Sequence, residues 1–179
     1  VVIFIGDNGT APRVIGDPFD AQHAKGTLSE GGTAVPFIVA GPGIQPGTED
    51  AIVSVVDIFA TALEVAGVDV AAATASDPVD SVSLWPLLVG GADTVRDHML
   101  TELFGGPSPD ARKAGHAIRN ADHKLVCYED GDTELFDLTD DRWGVTNLYA
   151  NGPAAGYEAV YGDLATALES WTSLDFCPE

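Results

Sequence analysis

The 179-residue sequence predicts an α/β chain, in which part of a mixed or parallel sheet sandwiched by helices precedes a small antiparallel sheet of about four strands packed on a C-terminal helix. Three observations carry this expectation. Val1-Val2-Ile3-Phe4-Ile5 is a continuous apolar, β-branched run closed by Gly6, the texture of a strand buried on both faces. From Arg96 onward, short strand-like runs alternate with turn residues. At 157–171, Tyr157, Val160, Tyr161, Leu164, Leu168 and Trp171 recur at helical spacing.

The first strand leads into Gly6-Asp7-Asn8-Gly9. In open α/β sheets, sites form at the carboxyl ends of strands, so Asp7 and Asn8 sit where a ligand is expected. Both offer oxygen to a hard cation. Asn8-Gly9-Thr10 also fits the glycosylation pattern, but an asparagine that binds metal cannot carry a sugar. Residues 10–24, with Pro12, Gly16, Pro18 and several aspartates, read as a loop crossing the mouth of a site. His23 within it is either a solvated loop histidine or a contact to an anionic group, and Arg13 carries the same ambiguity.

A second buried strand is expected at 35–40, with Pro36 near its start where a missing donor is tolerated. Val55, Ile58, Phe59, Ala62, Leu63 and Ala66 then mark a helix stopped by Gly67. Ser54 followed three residues later by Asp57 reads as helix capping, a role that needs no catalysis. Residues 68–82 lack periodicity and read as loop, Ser83-Leu84-Trp85-Pro86-Leu87-Leu88 as a short helical turn, and Gly90-Gly91 as a boundary. The expected division is therefore 1–92 and 93–179. In the second part, strands are expected at 98–104, 116–119, 124–128 and 133–138, with a hairpin turn at Asp130-Gly131.

The net charge of −20, from 28 acidic against 8 basic residues, argues against nucleic-acid binding, which needs Lys and Arg to neutralise phosphates. It fits a solvated acidic surface, as in saline-adapted or secreted proteins. An anionic substrate would then need local positive charge from a metal, Lys25 or Arg13. No apolar stretch approaches the length that spans a bilayer, so no membrane partner is expected. Cys127 and Cys177 could pair in an oxidising compartment, but two cysteines alone do not decide it. The chain opens in mid-strand at Val1, and its simplest reading is a fragment of a longer protein.

Asp7-Asn8-Gly9, Lys25-Gly26-Thr27, Glu30-Gly31-Gly32 and Val35-Pro36, in this order and spacing, closely resemble the C-terminal part of the sulfatase catalytic domain, in the alkaline phosphatase superfamily. The segments at 54–67, 83–88, 117–125, 134–138 and 147–148 extend the resemblance over nearly the whole chain. It implies hydrolysis of sulfate esters by a formylglycine nucleophile, with a divalent ion, usually Ca2+, holding nucleophile and sulfate oxygens. The formylglycine motif Cys/Ser-x-Pro-x-Arg lies upstream in the family and is absent here; Thr10-Ala11-Pro12-Arg13 is a near miss.

By resemblance, Asp7 and Asn8 are two metal ligands, and Lys25 contacts the sulfate as the catalytic, substrate-binding cation, with His23 beside it. An acid–amide oxygen pair suits a hard cation, and lysine supplies charge where anion develops. Asn8, where phosphatase relatives carry a histidine, favours sulfatase over phosphoryl or phosphonyl ester hydrolysis. Glu30 reads as a structural hydrogen-bonding residue, and the glycines after it imply close backbone approach. With two of four expected ligands the chain alone should bind metal weakly and turn over nothing. The competing reading is a non-catalytic remnant serving as a binding or structural module. A sulfatase of this kind would be periplasmic or secreted, acting on an aryl or carbohydrate sulfate ester.

Overall fold

The structure is a computed structural model that describes residues 1–105, 113–172 and 177. In chain order its elements are β1 (Val2–Ile5), α1 (Glu30–Thr33), β2 (Phe37–Ala40), α2 (Asp57–Val65), α3 (Val70–Ala73) and α4 (Trp85–Leu88). The strands β3 (Met99–Leu103), β4 (Gly115–Arg119), β5 (His123–Tyr128) and β6 (Thr133–Asp137) follow, and α5 (Glu158–Thr172) closes the chain. The residues divide into two compact units, one of Val1–Ile5 with Phe37–Met99 and one of Gly6–Pro36 with Leu100–Glu179.

In the first unit, β1 pairs antiparallel with β2, Ile3 opposite Val39 and Phe4 opposite Ile38. The strands expected from the apolar runs are present, but they are not buried on both faces. Exposure alternates along each, and Val2, Phe4 and Ile38 stand open. The pleat sends successive side chains to opposite faces, and among the described residues only one face of this ribbon is covered.

The helix expected after residue 54 is α2. Asp57 at its start is fully buried and accepts the Ser54 backbone N–H at 2.8 Å, the reach-back half of a capping box. The same carboxylate accepts from Val82 N at 3.0 Å and is clamped by the Arg96 guanidinium, whose Nε lies 3.1 Å from Oδ2. Asp57 is thus a structural hub whose negative charge is neutralised by a side chain 39 residues away. Residues 68–82, expected as loop, contain the one-turn helix α3, because Asp69 caps it by accepting from Ala72 N.

In the second unit the sheet has the order β3-β4-β5-β6. Antiparallel pairing sets Ile118 opposite Leu125 and Leu125 opposite Leu135. The β5–β6 turn places Gly131 at φ +91°, the left-handed geometry that an Asp-Gly turn provides. Strand alternation gives this sheet two apolar faces. Ile118, Leu125, Cys127 and Leu135 pack with Leu164 and Leu168 of α5. Ala117, Val126 and Phe136 point the other way and pack with Leu138 and Leu28. Tyr157, Val160 and Tyr161 join the α5 contact as the spacing predicts, whereas Trp171, 39% exposed near the helix end, does not pack on this cluster.

Cys127 and Cys177 form a disulfide, with Cα atoms 5.4 Å apart, tying residue 177 to the strand that α5 covers. No described helix is long and apolar enough to cross a membrane.

Candidate functional site

The site residues lie on three backbone segments, around residues 7–10, 23–27 and 30–33, that stack without intervening side chains. Thr10 N donates to Gly31 O at 3.0 Å, and Lys25 N donates to Thr10 O at 2.8 Å. Glycine is what allows this spacing. A Cβ on Gly9 would lie 2.4 Å from the carbonyl oxygens of both Gly31 and Gly32, and one on Gly32 would lie 2.3 Å from Thr27 O. The close backbone approach read from Gly31 and Gly32 is therefore present.

Hydroxyls complete the frame. Thr27 Oγ1 donates to Ala24 O at 2.8 Å and lies 2.7 Å from Ser29 Oγ, which donates to His23 O at 2.7 Å. Ala24 and Leu28 are buried beneath.

Asp7, Asn8 and Lys25 emerge from this frame exposed, and among the described residues none of the three side chains has a hydrogen-bond or ion-pair partner. The geometry brings their two segments side by side through the Thr10–Lys25 backbone bond. A free carboxylate and a free amide oxygen on adjacent residues fit a hard divalent cation in chemistry, but such a cation takes six to eight oxygens. Among the described residues no three His, Cys, Asp or Glu side chains converge to hold a metal. Asp7 and Asn8 offer two oxygens of the kind such a cation takes.

His23 ends a 3-10 turn, Ala21–His23, capped by Asp20, which accepts from Gln22 N at 2.7 Å. Its Nδ1 lies 2.8 Å from the Asp20 carboxylate. The Gln22 N–H, then the His23 ring, hold the Asp20 carboxyl below its ordinary value. Only the Nε2 side of His23 is left for a ligand.

Glu30, read as structural, is buried and ion-paired. Its Oε1 lies 2.8 Å from Lys124 Nζ and its Oε2 3.1 Å from Arg119 Nη1. Burial pushes Lys124 down from the ordinary lysine range, and the Glu30 charge opposes that shift. These two basic residues were missed as site-supporting groups. The available signal was period-two placement: Lys124 alternates with Leu125, so it must face away from α5 and toward the loop side. Through α1, the triad fixes the carbonyls of Gly31 and Gly32 against which Gly9 and Thr10 rest.

A family model described as N-sulphoglucosamine sulphohydrolase, C-terminal, matches residues 21–173. The chain belongs to this sulfatase family. Its curated relatives include Arylsulfatase K of Xenopus laevis, 29% identical over 163 residues that cover 85% of this chain and 28% of the relative. Arylsulfatase K of Homo sapiens is 28% identical over 170 residues, 88% of this chain and 29% of the relative. The chain thus spans less than a third of the length of these relatives.

Among solved structures, BT4656 in complex with its substrate D-glucosamine-2-N,6-O-disulfate superposes with a TM-score of 0.74 over 96% of this chain and 33% of that one. At 23% identity this likeness shows the fold alone, the mixed α/β architecture with its four-stranded antiparallel sheet and C-terminal helix. The phosphonate monoester hydrolase of Agrobacterium radiobacter matches with a TM-score of 0.63 at 25% identity, covering 84% of this chain and 31% of that chain.

Proposed function

We propose that this chain is the C-terminal part of a divalent-metal-dependent sulfatase that hydrolyses sulfate esters through a formylglycine borne on a preceding segment. The carrying observation is the frame just described: Asp7, Asn8 and Lys25 are held on glycine-stacked backbone with unpartnered side chains. Asp7 and Asn8 would hold the cation, Ca2+ by donor type, with further ligands from outside the chain. Such an ion would neutralise charge on the ester oxygens. Lys25 would place its ammonium against the transferring sulfate, where negative charge grows in the transition state. His23, steadied by Asp20, would offer Nε2 to the same anionic group.

The disulfide favours an oxidising compartment, in keeping with a periplasmic or secreted protein. In this reading the catalytic domain gives way to the C-terminal subdomain at 92/93. The substrate class is a sulfate ester of an aryl or carbohydrate alcohol, and neither nucleic acid nor membrane is a proposed partner.

A second reading, phosphonate monoester hydrolysis, is favoured by the likeness to the Agrobacterium radiobacter enzyme. One assay separates them. The full-length protein carrying this chain is offered p-nitrophenyl sulfate and p-nitrophenyl phenylphosphonate with Ca2+, and again after chelation. Metal-dependent turnover of the sulfate ester at least a hundredfold above the phosphonate supports the sulfatase. The reverse preference supports the second reading, and turnover of neither leaves the chain a binding or structural module.

A further inference from the structure

Of the four asparagines in the chain, Asn8 and Asn151 are each followed by glycine. The side-chain amide of an asparagine is open to attack by the backbone nitrogen of the next residue, and glycine, lacking a Cβ, hinders that attack least. The nitrogen loses its proton and bonds to Cγ, ammonia leaves, and a succinimide ring closes. Water then opens the ring at either carbonyl. The product is aspartate, or isoaspartate with the main chain lengthened by a methylene. Amide and water become acid and ammonia, with no change of oxidation state.

The other two asparagines are committed. Asn120 Oδ1 accepts from Asp122 N at 2.9 Å and His123 N at 2.7 Å, and Asn147 Oδ1 accepts from Leu135 N at 3.0 Å and Tyr149 N at 2.9 Å. Each is followed by a residue with a Cβ, Ala121 and Leu148.

The two Asn-Gly pairs share a sequence but not a setting. Asn151 is exposed, and among the described residues neither its side chain nor the Gly152 N–H has a hydrogen-bond partner. A Cβ on Gly152 would meet nothing within 4 Å, so this peptide has room to rotate. Asn151 sits at φ +142°, a conformation that L residues rarely adopt, and it loses little by leaving it. The Ala154 N to Leu148 O bond and the Tyr149–Pro153 bridge hold the ends of the loop, while the tip is spanned only by Ala150 N to Gly152 O at 3.1 Å.

Asn8 is exposed too, but Gly9 is wedged against the carbonyl oxygens of Gly31 and Gly32, each 2.4 Å from where its Cβ would lie. Bringing Gly9 N onto Asn8 Cγ requires a rotation about the Asn8 Cα–C bond that drives Gly9 into those oxygens. Thr10, bonded through its N–H to Gly31 O and through its carbonyl to Lys25 N, resists the same rotation.

We infer that Asn151-Gly152 is a site of spontaneous deamidation and that the glycine stack shields Asn8-Gly9 from the same reaction. At residue 151 the reaction adds a negative charge to a chain already at −20. At residue 8 it would turn a neutral amide oxygen into a carboxylate or displace it by a methylene, and the stack preserves the amide. The inference stands on backbone geometry and does not depend on the sulfatase reading.

The test is incubation of the full-length protein at mildly alkaline pH, where the attacking nitrogen loses its proton more readily, with peptide mass mapping over time. Cleavage by an aspartate-directed protease separates aspartate from isoaspartate. Asn151 is expected to convert about tenfold faster than Asn8 or more, since the frame must open locally before Gly9 can attack. In urea, with the frame gone, the two sites are expected to convert at comparable rates. Gly152→Ala is expected to slow Asn151 about tenfold by hindering the attack; the urea comparison needs no variant and decides the matter if this one misfolds. Equal rates in the folded protein, faster conversion of Asn8, an Asn151 that stays intact while folded but converts in urea, or a difference that survives urea would overturn the inference.

Discussion

Replacing Lys124 by Met removes the ammonium from the buried triad and keeps most of the apolar stem. The loss is not that of a surface ion pair, because Lys124 and Glu30 are both buried and their charged atoms lie 2.8 Å apart. Removing one partner of a buried pair costs about 3–5 kcal/mol, since the other charge is left uncompensated. Here Arg119 still faces Glu30 at 3.1 Å from a side chain 21% exposed, so the cost falls to about 2–3 kcal/mol by the same reasoning. Adding Glu30→Gln removes the stranded charge. The double variant is then expected to be no less stable than Lys124→Met alone, with a coupling energy of about 1.5 kcal/mol or more. Urea unfolding followed by circular dichroism, at constant m, reads all three values. A cost below about 0.5 kcal/mol for Lys124→Met, or additive single variants, would refute the triad as the anchor of α1.

Gly9→Ala drives a Cβ against two carbonyl oxygens, so a loss of about 1–3 kcal/mol is expected in the same unfolding assay, whereas Gly47→Ala, with nothing near its Cβ, should stay within about 0.5 kcal/mol. Asp137 is held down to about 2 by the Thr139 hydroxyl and then the Tyr157 phenol, from an ordinary 3.8. A carboxyl with a depressed folded-state value stabilises above its unfolded value and loses that contribution as pH falls from about 4 toward 2. The wild type should therefore exceed Asp137→Asn by about 1–2 kcal/mol at pH 6, with the gap closing in thermal melts as pH drops through that window. Reduction of the Cys127–Cys177 disulfide frees a loop of 50 residues and should cost about 4 kcal/mol by chain entropy, read as a lowered urea midpoint that Cys127→Ser/Cys177→Ser reproduces.

The antiparallel sheet and α5 were legible because each strand announces itself locally: period-two alternation, an Asp-Gly turn, and an apolar helical face. The site's glycines were legible for a similar reason, since Gly31-Gly32 beside an acidic residue signals backbone approach. The burial of β1 was misjudged because a run of five apolar residues looks the same whether one face or both are covered. Period-two placement gives the face that Lys124 takes but not its partner, so Arg96 on Asp57, and Arg119 with Lys124 on Glu30, lay beyond reach as ion pairs across 39 to 94 residues. The pairing of Cys127 with Cys177 was undecided for the same reason, as it depends on α5 bringing the chain end back over β5.

The most direct test of the central claim is the Ca2+ affinity of the full-length protein carrying this chain, measured by calorimetry for wild type, Asp7→Ala and Asn8→Ala, with p-nitrophenyl sulfate turnover followed in parallel. If Asp7 and Asn8 are metal ligands, Asp7→Ala should weaken Ca2+ binding at least a hundredfold and Asn8→Ala about tenfold, and turnover should fall with them. Unchanged affinity and turnover in both variants would contradict the claim that this loop completes a sulfatase metal centre.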